Sequence, residues 1–230
     1  MSNQETLLEI YKRLLEYFGH RNWWPGETTW EIMVGAILTQ NVSWSNVEKA
    51  INNLKETGLL ELEAIYRAPE AEIAQLIRPT RYYNMKAKKL KALAGYLMDK
   101  YGGDLERFFD KPLEELREEL LAIWGIGPET ADSILLYAGG KATFVVDAYT
   151  KRIFHRLGIF PIQVSYEEMR GFFMKHLPSD VALFNDYHAQ IVALGHHICQ
   201  NKPCCSECPL ESLGKCTKLI NGHKEQRIIK

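Results

Sequence analysis

All five cysteines of this chain lie between Cys199 and Cys216, in the run CQNKPCCSECPLESLGKC. An even scatter would not crowd them so, and a metal site is the natural reading. A disulfide knot is out of keeping with a helical chain that lacks a secretion-type start. Cys205 and Cys208 have two residues between them, with Cys199 upstream and Cys216 downstream. Four thiolates on one compact loop suit either zinc or a [4Fe–4S] cluster. Cys204 competes with Cys205 for a ligand place, and the two-residue spacing to Cys208 favours Cys205. His196 and His197 precede the loop and read as residues of the incoming helix.

A second chemical candidate is Asp147, placed directly after Phe144-Val145-Val146. A carboxylate in that setting is a helix N-cap or a buried functional acid, and both can hold. It follows by 20 residues the second glycine of the stretch LLAIWGIGPETADSILL, Leu120 to Leu136. There one helical pattern ends at Ile123 and another begins at Glu129. Gly125 and Gly127 permit positive φ and close backbone approach, and Pro128 suits a first helical turn. Such a turn aims its amides outward at a helix start, where they can hold a phosphate without side-chain charge. A plain αα-turn accounts for the same residues, so the context has to decide.

Aromatic residues gather near the front. Trp23 and Trp24 precede Pro25-Gly26, and Trp44 follows Leu38-Thr39-Gln40-Asn41. Adjacent tryptophans cannot bury both rings in the same direction, so one of them is a candidate for an open pocket. Core packing is the plain alternative for each ring.

Helices must position these groups. Leu7, Leu8, Tyr11, Leu14, Leu15 and Phe18 form one apolar stripe, and Val47, Ala50, Ile51 and Leu54 form another. Ser165 with Glu168 spells a capping box, and Asp180 caps a helix expected over Val181 to Ile198. Ala142 to Val146 is β-branched but too isolated to build a sheet. The expected fold is therefore all-α. Of the 230 residues 46% are hydrophobic and 25% charged, which suits a folded core. The net charge is −1, so any nucleic-acid surface must concentrate its basic residues locally. Lys86, Lys88, Lys89 and Lys91, near Arg78 and Arg81, are the candidate run; by themselves they read as a solvated helix face. No apolar run reaches the roughly 20 residues of a membrane span. A soluble, cytoplasmic, nucleoid-associated monomer without membrane contact is expected.

Gly125-Ile126-Gly127-Pro128-Glu129-Thr130-Ala131-Asp132, followed by Val145-Val146-Asp147, resembles the helix-hairpin-helix and catalytic aspartate of the endonuclease III superfamily of DNA glycosylases. The resemblance implies two helical lobes around a central cleft: residues 25–141, containing the hairpin, and residues 1–24 plus 142–230, containing the cysteine loop. It implies that Asp147 is the catalytic acid and that Gly125, Ile126 and Gly127 contact DNA phosphates. Gln40 matches the glutamine with which the superfamily fills the gap left by an extruded base. The cysteine loop resembles the superfamily's [4Fe–4S] loop, with one residue fewer before the central pair and two more after it. Cys199, Cys205, Cys208 and Cys216 would be the ligands, and Lys202 and Lys215 would lend the loop positive charge.

Bifunctional members of that superfamily carry a lysine two residues after the second glycine. This chain has Glu129 there. A carboxylate cannot form an imine, and Lys141 is more than two turns further on. The expectation is a monofunctional enzyme that uses water and leaves an abasic site. Asp147 would orient and deprotonate that water or stabilise an oxocarbenium-like sugar. Glu129 is either a favourable acid on a first helical turn or a catalytic partner in the pocket.

More narrowly, WWPG, GAILTQN, Ile77-Arg78-Pro79, Tyr82-Tyr83-Asn84 and Lys86-Ala87-Lys88 resemble the 3-methyladenine glycosylase branch. In that branch Trp23, Trp24, Pro25 and Trp44 would line the base pocket. A purine alkylated at N3 or N7 is cationic, and an indole face attracts it. The expected partner is double-stranded DNA bearing a damaged base. Rival readings are a glycosylase for uracil, mismatched thymine or an oxidised pyrimidine, and a non-catalytic damaged-DNA binder.

Overall fold

The computed structural model describes residues 2–40, 42–213 and 216. Asn41 and Lys215 lie outside them. Among the described residues every regular element is helical, and Ala142–Val146 forms no strand. The helices are α1 (Asn3–Phe18), α2 (Thr29–Leu38), α3 (Trp44–Glu56), α4 (Leu62–Arg67), α5 (Glu70–Leu76) and α6 (Tyr83–Tyr101). They continue as α7 (Leu105–Phe109), α8 (Leu113–Ala122) and α9 (Pro128–Ser133), which runs into a π-helical turn (Ile134–Ala138). The last three are α10 (Ala148–Arg156), α11 (Tyr166–His176) and α12 (Val181–His197). The chain divides into two compact units, Trp24–Lys141 and Met1–Trp23 with Ala142–Lys230.

In the Trp24–Lys141 unit, α2 has little polar surface to offer. Trp30, Met33, Val34, Ala36, Ile37 and Leu38 are all buried, and the helix runs through the middle of the core. Val47, Ala50, Ile51 and Leu54 of α3 turn the expected stripe onto it, as do Leu90, Leu93 and Leu97 of α6. The indole of Trp30 donates to the Leu60 carbonyl at 2.6 Å, so this buried ring keeps a polar partner. Gly102 ends α6 at φ 65°, and Gly103 N–H returns to the Leu97 carbonyl, a left-handed cap that glycine adopts without strain.

The expectation of a solvated lysine face on α6 is corrected here. Lys86 is 2% exposed, and its ammonium donates to the carbonyls of Leu38 and Thr80, both at 2.7 Å. Lys91 likewise donates to the Ala68 carbonyl at 2.9 Å. The carbonyls freed at the ends of short helices draw these ammonium groups inward. Burial, with the charge of Lys89 adding to it, pushes the Lys86 ammonium down to about 8.

The other unit is built on aromatic packing. Phe144 stacks on Phe173 with ring centroids 3.9 Å apart, and Phe154, Phe184 and Tyr187 meet that pair edge-on. Tyr187 is fully buried and donates its hydroxyl to the Leu7 carbonyl, pinning α1 to α12. Ser165 and Glu168 form the expected capping box of α11, and Asp180 caps α12 through Leu183 N–H.

Candidate functional site

The hairpin consists of α8, a turn from Ile123 to Gly127, and α9. Arg117 on α8 grips Asp132 on α9 with two parallel hydrogen bonds, Nε to Oδ1 at 3.0 Å and Nη2 to Oδ2 at 3.1 Å. Asp132 is fully buried, so this fork fixes the angle between the helices. The two glycines differ in what they do. Gly125 adopts φ 84°, and an added Cβ would approach Cγ of Lys89 to 2.6 Å. Gly127 is extended, and a Cβ there would meet nothing within 4 Å. Its lack of a side chain therefore keeps the outer face of the turn open rather than relieving an internal clash. Ile126 is buried and spends its amide on the Ile123 carbonyl at 3.1 Å. Trp124 at the tip is 57% exposed, a residue the sequence reading gave no role. Glu129 is exposed on the first turn of α9.

Gln40, just beyond α2, is held from two sides. Lys89 Nζ donates to its Oε1 and its Nε2 donates to Thr130 Oγ1, both at 2.7 Å. Thr130 belongs to the first turn of α9, so the glutamine is tied directly to the hairpin.

Trp24 and Trp44 meet edge-to-face with centroids 5.1 Å apart, and Tyr137 from the π-helical turn packs on Trp24 at 4.9 Å. All three rings are half-buried. Gly35 lets Trp24 close on α2, since a Cβ there would lie 3.2 Å from its Nε1. Trp44 donates to Glu48 at 2.8 Å. Tyr137 escaped the sequence reading because it lies in an apolar run, and π-helical turns recur at functional positions. Pro25 is exposed, and Trp23 belongs to the other unit.

Asp147 realises the capping role. It is the N-cap of α10, and its Oδ1 accepts from Thr150 N–H at 2.7 Å and Thr150 Oγ1 at 2.8 Å. That leaves Oδ2 for other work. His188 of α12 brings Nε2 to 3.8 Å from that oxygen. Burial pushes the His188 imidazole below its ordinary range, against the partial pull of the Asp147 charge, so the ring is neutral near pH 7.

The cysteine loop wraps over α10 and the end of α12. Cys199, Cys205, Cys208 and Cys216 line one cavity together with Arg156 and Leu210, whereas Cys204 is exposed and lines none of it. Arg152 holds the carbonyls of Gly195 and Cys199, and Arg156 reaches the Gln200 carbonyl and the Cys199 sulfur, the latter at 3.2 Å. Burial pushes the Cys208 thiol up to about 11. Among the described residues no three Cys, His, Asp or Glu side chains converge closely enough to grip a single ion. His196 and His197 are exposed in the last turn of α12.

With this geometry established, known proteins give it a context. The HhH-GPD superfamily of base excision DNA repair proteins matches residues 34–179. A Methanocaldococcus jannaschii protein, whose name assigns it to the DNA repair glycosylases, is 50% identical over 208 residues, 90% of this chain and 94% of that one. Endonuclease III of Thermotoga maritima is 29% identical over 210 residues, covering 91% of this chain and 90% of its own. Among solved structures, the 3-methyladenine DNA glycosylase of H. pylori bound to 1,N6-ethenoadenine matches with a TM-score of 0.73 and 29% identity, over 84% of this chain and 97% of that one. A trapped endonuclease III–DNA covalent intermediate shares the fold at a TM-score of 0.81 and 24% identity, over 98% and 100% of the two chains.

Proposed function

The chain belongs to the HhH-GPD superfamily of base excision DNA repair proteins, and from that premise we propose that it is a monofunctional DNA glycosylase that hydrolyses the N-glycosidic bond of alkylated purines such as 3-methyladenine. The observation that carries the substrate class is the group of Trp24, Trp44 and Tyr137. Three electron-rich rings with exposed area suit a flat cationic base, and a cation over a desolvated indole gains up to about 2 kcal/mol. The H. pylori relative, named for 3-methyladenine, supports the same class.

The reaction needs little from the protein beyond placement. An alkylated purine already carries the positive charge that makes it a leaving group, so its C1′–N bond breaks as the sugar becomes oxocarbenium-like. Asp147 Oδ2 faces that charge or takes a proton from the attacking water, while Thr150 keeps the carboxylate from turning. The hydroxyl adds to C1′, the base departs, and the sugar is left abasic with the phosphate backbone intact. Glu129 supplies no amine, so no Schiff base forms and no strand is cut by β-elimination. Gly125 and Gly127 offer backbone amides to phosphate, and Gln40 fills the space of the extruded base.

Cys199, Cys205, Cys208 and Cys216 would hold a [4Fe–4S] cluster. The four cysteines line one cavity, and four thiolates on one loop suit such a cluster. Bound there, the cluster supplies iron–thiolate bonds that cross-link the loop. A panel of duplexes bearing alkylated purines, uracil, mismatched thymine or oxidised pyrimidines tests the substrate class. Release confined to the alkylated purines supports it, and preferential release of any other base overturns it.

A further inference from the structure

We infer that Lys89 is a positioning residue for Gln40: its ammonium fixes the place and polarity of the glutamine amide and locks it to the hairpin through Thr130. The inference rests on the reading of Gln40 as the residue that enters the DNA stack.

Three observations support it. An ammonium has only donors, so at 2.7 Å it dictates that Oε1 of Gln40 faces Lys89. The amide N–H₂ then faces Thr130 Oγ1, also at 2.7 Å, and a half-turn of the amide would set N–H₂ against the Lys89 ammonium and break that bond. The stem of Lys89 is itself confined, because it crosses Gly125 where a Cβ would approach to 2.6 Å. Gly125 thus serves two ends, the φ of 84° that the turn requires and the passage of the lysine stem beneath it. Burial lowers the Lys89 ammonium from its ordinary range, as expected of a group facing a protein partner rather than open water. The consequence is that the α6 lysine, the glutamine after α2 and the first turn of α9 form one hydrogen-bonded assembly. A hairpin seated on a phosphate would carry Gln40 with it in a fixed register.

The probe is a duplex with a tetrahydrofuran abasic-site analogue flanked by 2-aminopurine, whose fluorescence rises when a side chain enters the stack. Wild type is expected to raise the signal, and Gln40→Ala to lose most of the rise. Lys89→Met and Thr130→Val should lose a similar share, each with an affinity loss of about 10-fold. Lys89→Met combined with Gln40→Ala should be no worse than Gln40→Ala alone, and Thr130→Ser should retain the wild-type rise. The salt dependence of binding should be unchanged in Lys89→Met. A slope reduced by about one would mean that the lysine touches phosphate instead, which overturns the inference. Additive losses in the double variant also overturn it. If Gln40→Ala loses the rise and both Lys89→Met and Thr130→Val keep it, positioning alone is refuted. If Gln40→Ala itself keeps the rise, the reading of Gln40 falls and the inference falls with it.

Discussion

Thr150 donates both its backbone N–H and its hydroxyl to the same oxygen, Oδ1, of Asp147. One carboxylate oxygen therefore builds the start of α10 and the other is left for chemistry. Asparagine caps a helix about as well as aspartate. Asp147→Asn should thus leave thermal stability within about 0.5 kcal/mol of wild type while lowering the rate of base release by about 100- to 1,000-fold. DNA affinity should hold. A comparable loss of binding, or a melting point several degrees lower, would contradict the division of labour between the two oxygens.

The exposed Glu129 predicts the outcome of trapping. Borohydride added during turnover on damaged duplex should yield no covalent protein–DNA adduct, because imine formation needs an amine on the protein. A robust adduct on wild type would show that another lysine attacks the sugar.

The cavity shared by four of the five thiols separates the cysteines. Cys208→Ser should lose the brown absorbance and most of the iron, and should fold poorly. Cys204→Ser should keep both iron and colour. Iron lost in Cys204→Ser but kept in Cys205→Ser would move the ligand place from Cys205 to Cys204.

His188 predicts a pH effect on stability. The ordinary imidazole, as in the unfolded chain, binds its proton below about 6.5, whereas the folded ring resists protonation because it is buried. Below that pH the unfolded state binds more protons, so stability falls as the solution is acidified, by up to about 1.4 kcal/mol per pH unit from this one group. Melting temperatures from pH 7.5 to 5.5 should drop less steeply in His188→Gln than in wild type. Equal slopes would show that the ring does not carry this linkage.

Local chemistry made much of the scaffold legible. The Ser165–Glu168 box, the Asp180 cap, the course of α12 and the glycine turn before Pro128 depend on residues within a few positions of one another. Asp147 could be read as cap and candidate acid for the same reason. What escaped was tertiary. Lys86 carries the charge of a surface residue, and only the carbonyls of Leu38 and Thr80, brought in from elsewhere, make it a buried clamp. Lys89 finds Gln40 49 positions away. Tyr137 reads as one more core residue until the π-helical turn sets it against Trp24.

Substrate and mechanism are read together by incubating the purified protein with methylated duplex DNA, separating the released bases by chromatography and running the DNA on a gel before and after alkali. Free 3-methyladenine or 7-methylguanine is expected, with strand breaks appearing only after alkali. No released base would contradict the substrate, and breaks without alkali would contradict the water-based mechanism.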